Sequence, residues 1–409
     1  MTDQSNPQII LLTGATGVLG ARILKELLKT TTARVHCLVR GDDSEHCRSR
    51  LETLFRVYDP EGIHRAQFEE RVVPVQGDVS QAGLGMADSA YRELQSKVGL
   101  IIHSAANTSL LASFEKIEPI NVGGTERMIE FALGTREKNL CYVSTYTVMG
   151  SKTFDPNFVF RETDFELGQT FDFMNYQRSK FIAEGLVRKA SERGLRWKIF
   201  RPGQIFGESD TGNYPEGDTQ VSGLFYDLFK TAIETGYAFQ SRTHFDVVPV
   251  NYCSEAIVQL AIHRAQWGET YHLTNPDLRT YSDVIRLVSQ LGYPIEQIPE
   301  AQYIKLLAAG QIRKRGEERP YESVAIKAFL AWFFKAKISF ERSSVTSCEF
   351  TRKVLEELDV RCAPLDLPLI RTYFANGVKK GYLPALPQKA ALRTEAPVAP
   401  ALGLASIGV

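Results

Sequence analysis

The stretch QIILLTGATGVLG, residues 8–20, decides the fold. Residues 8–12 form a short apolar run rich in β-branched side chains, and a helical pattern of apolar residues follows as far as Leu28. Gly14, Gly17 and Gly20 lie between the two patterns. The arrangement predicts a strand, a tight turn and a helix whose N-terminal N–H groups bind a pyrophosphate. A plain turn that needs glycine for close helix–sheet packing is the alternative interpretation.

Short apolar runs recur along the chain and alternate with segments of helical periodicity. They lie at residues 34–39, 72–75, 100–103, 140–144 and 197–200. Strands that alternate with helices predict an α/β protein with a Rossmann-type doubly wound parallel sheet. The long segment between the second and third runs, near residues 43–70, is predicted to hold an inserted helix with a loop.

The pattern changes after Gly207, where longer helices dominate and short strands are predicted only at 246–250 and 270–273. We therefore predict a dinucleotide-binding Rossmann domain over residues 1–204 and a smaller, mainly helical substrate-binding lobe over 205–387, from which some strands can return to the sheet. Residues 388–409, rich in Ala and Pro, are predicted to be a flexible tail. The charged run 313–319, ahead of a predicted helix at 324–334, is interpreted as a solvated turn.

The composition excludes several classes of protein. Lys plus Arg and Asp plus Glu both number 48, so no global field attracts nucleic acid or an anionic membrane. No apolar run approaches the ~18 residues that span a bilayer, which favours a cytoplasmic protein. The six cysteines form no CxxC pair, so neither a metal site nor a disulfide framework is expected. A monomer is expected, although the sequence leaves the oligomeric state open.

The residues after the second strand predict the cofactor. Folds that bind NAD tend to place an acidic residue there, whereas this chain has Arg40. A cation at this position favours the 2′-phosphate of NADPH, and Arg50 in the insertion could supply a second cation. A surface arginine is the alternative. Asp78, after the third strand, is predicted to reach the adenine amino group or, alternatively, to cap a turn.

Two further segments are candidates for the nicotinamide side of the cofactor. Ser104, Ala105 and Ala106 follow the fourth strand, and such small residues let a ribose lie close to the backbone, although tight packing explains them equally well. Asn121 precedes two glycines in a helix-forming stretch, where each glycine costs ~1 kcal/mol relative to alanine. Its side chain is predicted to serve the cofactor or, alternatively, to bond locally to the backbone.

The strongest chemical signal is Tyr176 followed by Lys180, after the Ser144–Thr145 pair that ends the fifth strand. Residues four apart share one helical face, so the ammonium can sit near the phenol. A nearby cation lowers the pKa of a phenol and makes it a usable proton donor at neutral pH. We predict that Thr145 and Tyr176 hold the substrate oxygen while hydride arrives from the opposite side. An amphipathic surface pair is the alternative.

These motifs resemble the extended short-chain dehydrogenases, and among them the thioester reductases that terminate nonribosomal peptide and polyketide synthases and occur in carboxylic acid reductases. The resemblance covers residues 8–387, with matching blocks at 13–20, 37–40, 75–80, 103–107, 121–125, 176–180 and 201–207. The motifs and the resemblance together predict cofactor contacts from Thr13, Gly14, Thr16, Gly17, Val18, Leu19, Gly20, Arg40, Arg50, Asp78, Val79, Ser104, Ala105, Ala106, Asn121, Ser144, Tyr176, Lys180, Pro202, Gly203 and Ile205.

The resemblance also implies a function and assigns roles. In the family the catalytic hydroxyl residue precedes a glycine by five positions, so Gly150 selects Thr145 over Ser144, and Pro202 and Gly203 match the loop that lies against the nicotinamide. The implied reaction is NADPH-dependent reduction of a thioester on an acyl or peptidyl carrier protein to an aldehyde. The sequence leaves open whether a second hydride takes the aldehyde to an alcohol.

Three other functions remain open from the sequence. An acyl-CoA or ketone reductase and a nucleotide-sugar epimerase use the same scaffold. A non-catalytic NADP-binding sensor or synthase scaffold is the third possibility, which the intact Thr145, Tyr176 and Lys180 set disfavours. Activity with acyl thioesters, compared with UDP-sugars, separates the enzymes.

We expect NADPH to bind much more tightly than NADH, because Arg40 faces the 2′-phosphate. Titration of both cofactors against the wild type and Arg40→Ala measures this. The variant should lose ~1.5–3 kcal/mol of NADPH binding, the value of a charge-assisted contact, and should bind NADH as before. Equal affinities in the wild type would refute the assignment.

Overall fold

The computed structural model describes residues 8–135, 137–215, 224–323 and 343–386, with a few positions between 326 and 341. Its strands are β1 (Ile9–Thr13), β2 (Arg34–Val39), β3 (Val72–Gln76), β4 (Leu100–His103), β5 (Asn139–Val143), β6 (Val159–Phe160), β7 (Arg196–Pro202), β8 (Gln204–Phe206), β9 (Tyr237–Phe239), β10 (Val247–Pro249), β11 (Glu269–Leu273), β12 (Glu296–Ile298) and β13 (Val345–Thr346).

The helices of the described residues fall mainly between these strands. They are α1 (Val18–Thr30), α2 (Ser44–Tyr58), α3 (Arg65–Arg71), α4 (Asp88–Lys97), α5 (Phe114–Asn121), α6 (Gly123–Ala132), α7 (Asn175–Lys189), α8 (Leu224–Thr235), α9 (Val250–His263), α10 (Tyr281–Gln290), α11 (Glu300–Ala308), α12 (Glu349–Glu357) and α13 (Leu367–Lys379). Short 3₁₀ helices occupy 82–85, 146–154 and 190–193.

The central sheet has seven parallel strands in the order β3-β2-β1-β4-β5-β7-β11. The chain winds outward from β1 in one direction and then from β4 in the other, so the predicted doubly wound parallel sheet is confirmed. In such sheets ligands bind at the carboxyl ends of the strands, where the winding direction reverses. The turns after β1 and β4 flank that point.

Alternating side chains of the strands build two layers of core. Ile10 and Leu12 of β1 pack on one face, in a cluster that includes Leu24 of α1 and Ile257 of α9. Leu11 packs on the other face, in a cluster with residues of α4, α6 and α7. Both faces of the sheet are therefore covered, as a parallel sheet requires.

The residues after 205 form a second core and also extend the sheet. β11 pairs in parallel with β7, so one strand of this region returns to the central sheet. Helices α8, α10, α11 and α13 enclose an aromatic cluster in which Phe206, Phe229 and Phe245 contact one another. The domain limits at residues 204 and 387 stay predictions.

The structure also locates the other predicted segments. The insertion near residues 43–70 contains two helices, α2 and α3, where one was expected. The charged run 313–319 is an exposed turn, closed by a bridge between Arg313 and Pro320. Most of the predicted helix at 324–334 and the whole tail at 388–409 lie outside the described residues.

Membrane-spanning helices and metal-binding clusters are both absent from the described ranges. None of the helices there is long and apolar enough to cross a membrane, and no cluster of His, Cys, Asp and Glu could hold a metal ion. The cysteines are unpaired thiols, and Cys37, Cys47, Cys141 and Cys253 are buried.

Two glycines, both inside helices, predict opposite effects on stability. A Cβ on Gly20 would lie 2.0 Å from the Gly14 carbonyl oxygen, whereas a Cβ on Gly185 would meet its nearest neighbour, Phe165, at 3.5 Å. We expect Gly20→Ala to lose ~1–3 kcal/mol of unfolding free energy through overpacking. Gly185→Ala should gain up to ~1 kcal/mol from helix propensity. Urea denaturation of both variants measures the pair, and a stabilised Gly20→Ala would contradict the clash.

Candidate active site

The turn after β1 touches the turn after β4. Gly14 has a φ of +77°, and a Cβ there would lie 2.7 Å from the Ala105 nitrogen and from the Ser104 carbonyl carbon. The hydroxyl of Thr13 accepts a hydrogen bond from the Ala105 N–H at 3.1 Å. These two contacts fix the two turns against each other, and only glycine fits at position 14. Thr13 thus acts through its side chain on the protein itself.

The start of α1 offers backbone donors beside this junction. The Gly17 N–H donates to the Gly14 carbonyl at 2.9 Å, and Gly17, the N-cap residue, has no side chain to cap the helix. The first N–H groups of a helix, here those of Val18, Leu19 and Gly20, lack acceptors within the helix. An uncapped helix start and close-packed glycines fit the pyrophosphate of a dinucleotide. Thr16 lies in the same turn.

Arg40 and Arg50 are neighbours at the carboxyl end of β2. Arg40 is exposed and follows the last residue of that strand, and the Arg50 guanidinium donates to its backbone carbonyl. The structure thus brings together the two arginines that the sequence assigned to a 2′-phosphate.

Asp78 and Val79, after β3, carry structural contacts. One Asp78 carboxylate oxygen accepts from the N–H and the hydroxyl of Ser80, both at 2.8 Å, which is the turn-capping alternative. Val79 is buried and packs against Gly124 of α6. The predicted adenine contact of Asp78 stays a prediction.

A hydrogen-bonded chain links β1, β4 and α6. The Thr125 hydroxyl donates to the Asn121 carbonyl at 2.6 Å, so it can only accept from His103 Nε2 at 3.3 Å. His103 Nδ1 therefore accepts from the Thr13 hydroxyl at 2.7 Å. Burial, and then the nearby Lys180 charge, lower the pKa of His103 to about 3, so the ring stays neutral.

Asn121 joins the turn after β4 to helix α7. Its amide donates to the Asn107 carbonyl at 3.0 Å and to the Ser179 hydroxyl at 2.8 Å, and its carbonyl accepts from the Asn107 N–H at 2.7 Å. The Asn121 side chain thus bonds to other residues of the protein. Its backbone partner is Asn107, in the turn after β4, and not a neighbouring residue as the alternative interpretation expected. Sequence reasoning missed this bridge, because Asn121 and Ser179 lie far apart in the chain.

Lys180 ties helix α7 to the end of β5. Its ammonium donates to the Val143 carbonyl at 2.5 Å and lies 4.2 Å from the centre of the Tyr142 ring. Burial lowers the pKa of Lys180 to about 7, against the opposing influence of Glu184. Lys180 can therefore exchange a proton near neutral pH. Thr145 follows Val143 by two residues, so this contact brings Tyr176, one helical turn before Lys180, to the same end of β5.

The pKa of Tyr176 differs from the sequence-based prediction. Burial raises it to about 12, so the expected lowering by Lys180 is wrong for this arrangement, in which the ammonium is directed at Val143. The phenol is fully protonated at neutral pH, as a proton donor must be. Thr145, which is buried, accepts from the Thr147 N–H at 3.3 Å at the start of the 3₁₀ helix.

A buried ionic network separates the roles of Ser144 and Thr145. The Ser144 hydroxyl donates to Glu184 at 2.7 Å, and Glu184 also accepts two hydrogen bonds from Arg201, at 2.6 and 3.1 Å. The Ser144 hydroxyl is therefore engaged in the interior. Sequence reasoning missed Glu184, although its spacing of four from Lys180 on one helix was a usable signal.

The loop after β7 completes the candidate site. Pro202 ends β7, and the N–H of Gly203 donates to the Leu273 carbonyl of β11 at 3.0 Å. Ile205 lies in β8 and pairs with Val248 of β10. Ala106 and Gly203 follow strands of the central sheet and Pro202 ends one, so these predicted nicotinamide contacts lie at the same edge of the sheet as Thr145.

Comparisons with known proteins agree with this architecture. Residues 12–257, more than half of the chain, match the NAD-binding family described as male sterility protein. The chain is 29% identical over 377 residues to a linear gramicidin synthase polypeptide from Brevibacillus parabrevis, a match that covers 91% of this chain but only 7% of the relative. It is also 31% identical over 315 residues to isonitrile lipopeptide synthase from Mycobacterium tuberculosis, covering 71% of this chain and 12% of that relative.

Solved structures give similarity over nearly the whole chain. The terminal R domain from the myxalamid PKS-NRPS biosynthetic pathway superposes with a TM-score of 0.83 at 30% identity, covering 94% of this chain and 93% of that one. The reductase domain of a nonribosomal peptide synthetase from Mycobacterium tuberculosis gives 0.74 at 27% identity, covering 93% of each chain. The chain therefore belongs to the male sterility protein family of NAD-binding domains and is a relative of the terminal reductase domains of peptide and polyketide synthases.

Proposed function

We propose that this protein uses NADPH to reduce an acyl or peptidyl thioester, held on a carrier protein, to an aldehyde. The observation that carries the proposal is the anchoring of Lys180 to the Val143 carbonyl at 2.5 Å. This contact supports a site at one end of β5, where Tyr176 and Thr145 would act together beside the loop of Pro202 and Gly203. The similarity to terminal reductase domains supports a thioester as the substrate.

The residues present fit a phosphorylated dinucleotide. The bare start of α1 and the glycine at position 14 suit the pyrophosphate, and Arg40 with Arg50 suits a 2′-phosphate. NADPH, when bound, supplies the hydride. The preference for NADPH over NADH rests on the two arginines.

The protein's own groups act on the thioester oxygen. Thr145 and Tyr176 donate hydrogen bonds to that oxygen, which polarises the carbonyl carbon toward hydride attack. As charge develops there, Tyr176 transfers its proton to the oxygen, and the carbon becomes a thiohemiacetal. The thiohemiacetal then loses its hydroxyl proton as the C=O bond re-forms and the C–S bond breaks, and the departing sulfur takes up a proton, so the products are the aldehyde and the carrier thiol. Lys180, whose pKa lies at about 7, can return a proton to Tyr176.

Two observations support a carrier protein as the partner, namely the length of the relatives and the size of the lobe after residue 207. This chain spans 7% of the linear gramicidin synthase polypeptide, so such sequences occur as parts of much longer synthases. The lobe after residue 207 can wall a channel for a phosphopantetheine arm. The positive charge of the run 313–319 suggests a docking face for the carrier protein. Two contacts make the run less suited to that role, because Lys314 approaches Glu234 at 3.7 Å and the Arg315 guanidinium donates to the Pro294 carbonyl.

A substrate panel tests the proposal. One acyl group is presented on a carrier protein, on free pantetheine and as the free aldehyde, with a UDP-sugar as a fourth substrate, and products are identified by mass. We expect the highest kcat/KM on the carrier. No advantage over pantetheine would remove the carrier partner, turnover of the aldehyde alone would remove the thioester, and turnover of the UDP-sugar would favour an epimerase.

Tyr176→Phe should abolish most turnover of the thioester and leave NADPH affinity nearly unchanged. The phenol acts on the substrate oxygen, and general acid catalysis of this kind contributes ~10² to 10⁴ in rate. Single-turnover rates and cofactor titration measure the two effects. Tyr91→Phe, which removes a phenol from α4, is the matched control. A Tyr176→Phe variant with wild-type rates would assign the proton donor to another group.

A further inference from the structure

Three residues join the loops at the carboxyl ends of β5, β7 and β11. The N–H of Asn275, after β11, donates to Asp246 Oδ1 at 2.7 Å. The N–H of Gln204, after β7, donates to the Asp246 backbone carbonyl at 3.0 Å, and its side-chain amide donates to the Tyr146 hydroxyl, after β5, at 3.4 Å. We call Tyr146, Gln204 and Asp246 the acceptor cluster.

Two oxygen atoms of the acceptor cluster are unsatisfied. Over the part of the chain that the structure describes, Asp246 Oδ2 and Gln204 Oε1 are buried and have no hydrogen-bond partner. Buried polar atoms in folded proteins are nearly always hydrogen-bonded, so two unsatisfied acceptors in one cluster require an explanation. As whole residues, Tyr146, Gln204 and Asp246 each keep some exposed surface, although the two unsatisfied oxygen atoms are themselves enclosed.

The position of the cluster points to substrate more than to cofactor. In the sheet order β1-β4-β5-β7-β11, the glycine turn follows β1 and Thr145 follows β5. The acceptor cluster extends from β5 to β11, on the side of Thr145 away from the glycine turn. A thioester whose oxygen lies on Thr145 and Tyr176 would therefore extend one of its two arms over this cluster.

We propose that Asp246 and Gln204 form a subsite that accepts a hydrogen bond from an amide N–H of the substrate. The proposal rests on the proposed function. It makes aminoacyl or peptidyl thioesters better substrates than plain acyl thioesters, because two acceptors left without a donor disfavour a purely aliphatic chain. Both the peptidyl chain and the pantetheine arm carry amide N–H groups, and the two sources are separated below.

Two further features agree with this subsite. Burial raises the pKa of Asp246 to about 7, against one N–H from Asn275, which is the behaviour of a carboxylate with too few donors. A Cβ on Gly203 would lie 1.7 Å from Asp246 Oδ2, so only glycine at that position lets the carboxylate approach the loop after β7.

The test uses Asp246→Asn, which keeps the shape of the side chain. The amide oxygen can still accept the hydrogen bond from the Asn275 N–H. The amide NH₂ group takes the place of the unsatisfied Oδ2, so an acceptor becomes a donor. Wild type and variant are assayed with an N-acetylaminoacyl thioester and with an isostere in which CH₂ replaces the N–H. Each is presented on N-acetylcysteamine and on an alkyl thiol of equal length without an amide. Asp88→Asn, an exposed change in α4, is the matched control.

We expect the wild type to prefer the amide-bearing compound by about ten- to a hundredfold in kcat/KM, the range expected for a hydrogen bond to a charged group. Asp246→Asn should abolish that preference and leave the isostere unaffected. A preference that follows the acyl amide assigns the N–H to the peptidyl chain, and one that follows the thiol amide assigns it to the arm. Gln204→Met, which removes the second acceptor, should reduce the same preference and carries the test if Asp246→Asn does not fold.

Other outcomes overturn the inference in distinguishable ways. Equal loss on both compounds would make Asp246 a structural residue, and an unchanged preference would remove it from recognition. Weaker NADPH binding with unchanged substrate preference would assign the acceptors to the nicotinamide carboxamide. A wild type that reduces both thioesters equally refutes the subsite alone, whereas one that reduces neither refutes the proposed function and the subsite with it.

Discussion

One fully buried carboxylate, that of Glu184, joins helix α7 to two neighbouring strands of the sheet. It accepts from Ser144 at the end of β5 and from Arg201 of β7, and it pairs with Arg188 one turn along its own helix. Charges buried this deeply are tolerated only when every partner is in place, because their desolvation costs several kcal/mol per ion. The surrounding cations hold the pKa of Glu184 below its usual value in spite of burial. Because Ser144 adjoins Thr145 and Glu184 lies two helical turns beyond Tyr176, the Ser144–Glu184 bond links the segments that carry the two proposed catalytic residues.

The predicted cofactor side of the molecule depends on close packing of backbone atoms and not on buried charges. The turns after β1 and β4 touch through backbone atoms, so packing alone requires glycine at positions 14 and 20, whatever ligand binds there. The neutral His103 ring accepts a hydrogen bond from Thr13 at the same junction. Buried charges thus hold the segments of the predicted catalytic residues, whereas close-packed backbone and neutral polar groups form the predicted nucleotide site.

Sequence reasoning succeeded where the signal is local. Apolar runs located the strands of the sheet, the glycine spacing located the turn, and the resemblance to terminal reductase domains was confirmed by the comparisons. It failed where the contact that determines a side chain's role comes from a residue far away in the sequence. The direction of Lys180 depends on the Val143 carbonyl, and the role of Asn121 depends on Ser179, neither of which any periodicity reports. The pKa of Tyr176 was mispredicted because spacing reveals a neighbouring charge but not the degree of burial.

The network around Glu184 also has a consequence for how the chain folds. Arg201 contacts His272 of β11 at 3.1 Å, and the ring of His272 contacts the Ser347 carbonyl at 2.6 Å. These contacts join residues far apart in sequence, and such non-local contacts form late in folding because closing a long loop costs entropy. Both His272 and Ser347 lie beyond residue 257, where the family match ends. During synthesis on the ribosome, α7 and β7 emerge before these two residues, so the network around Glu184 is complete only after residue 347 has emerged.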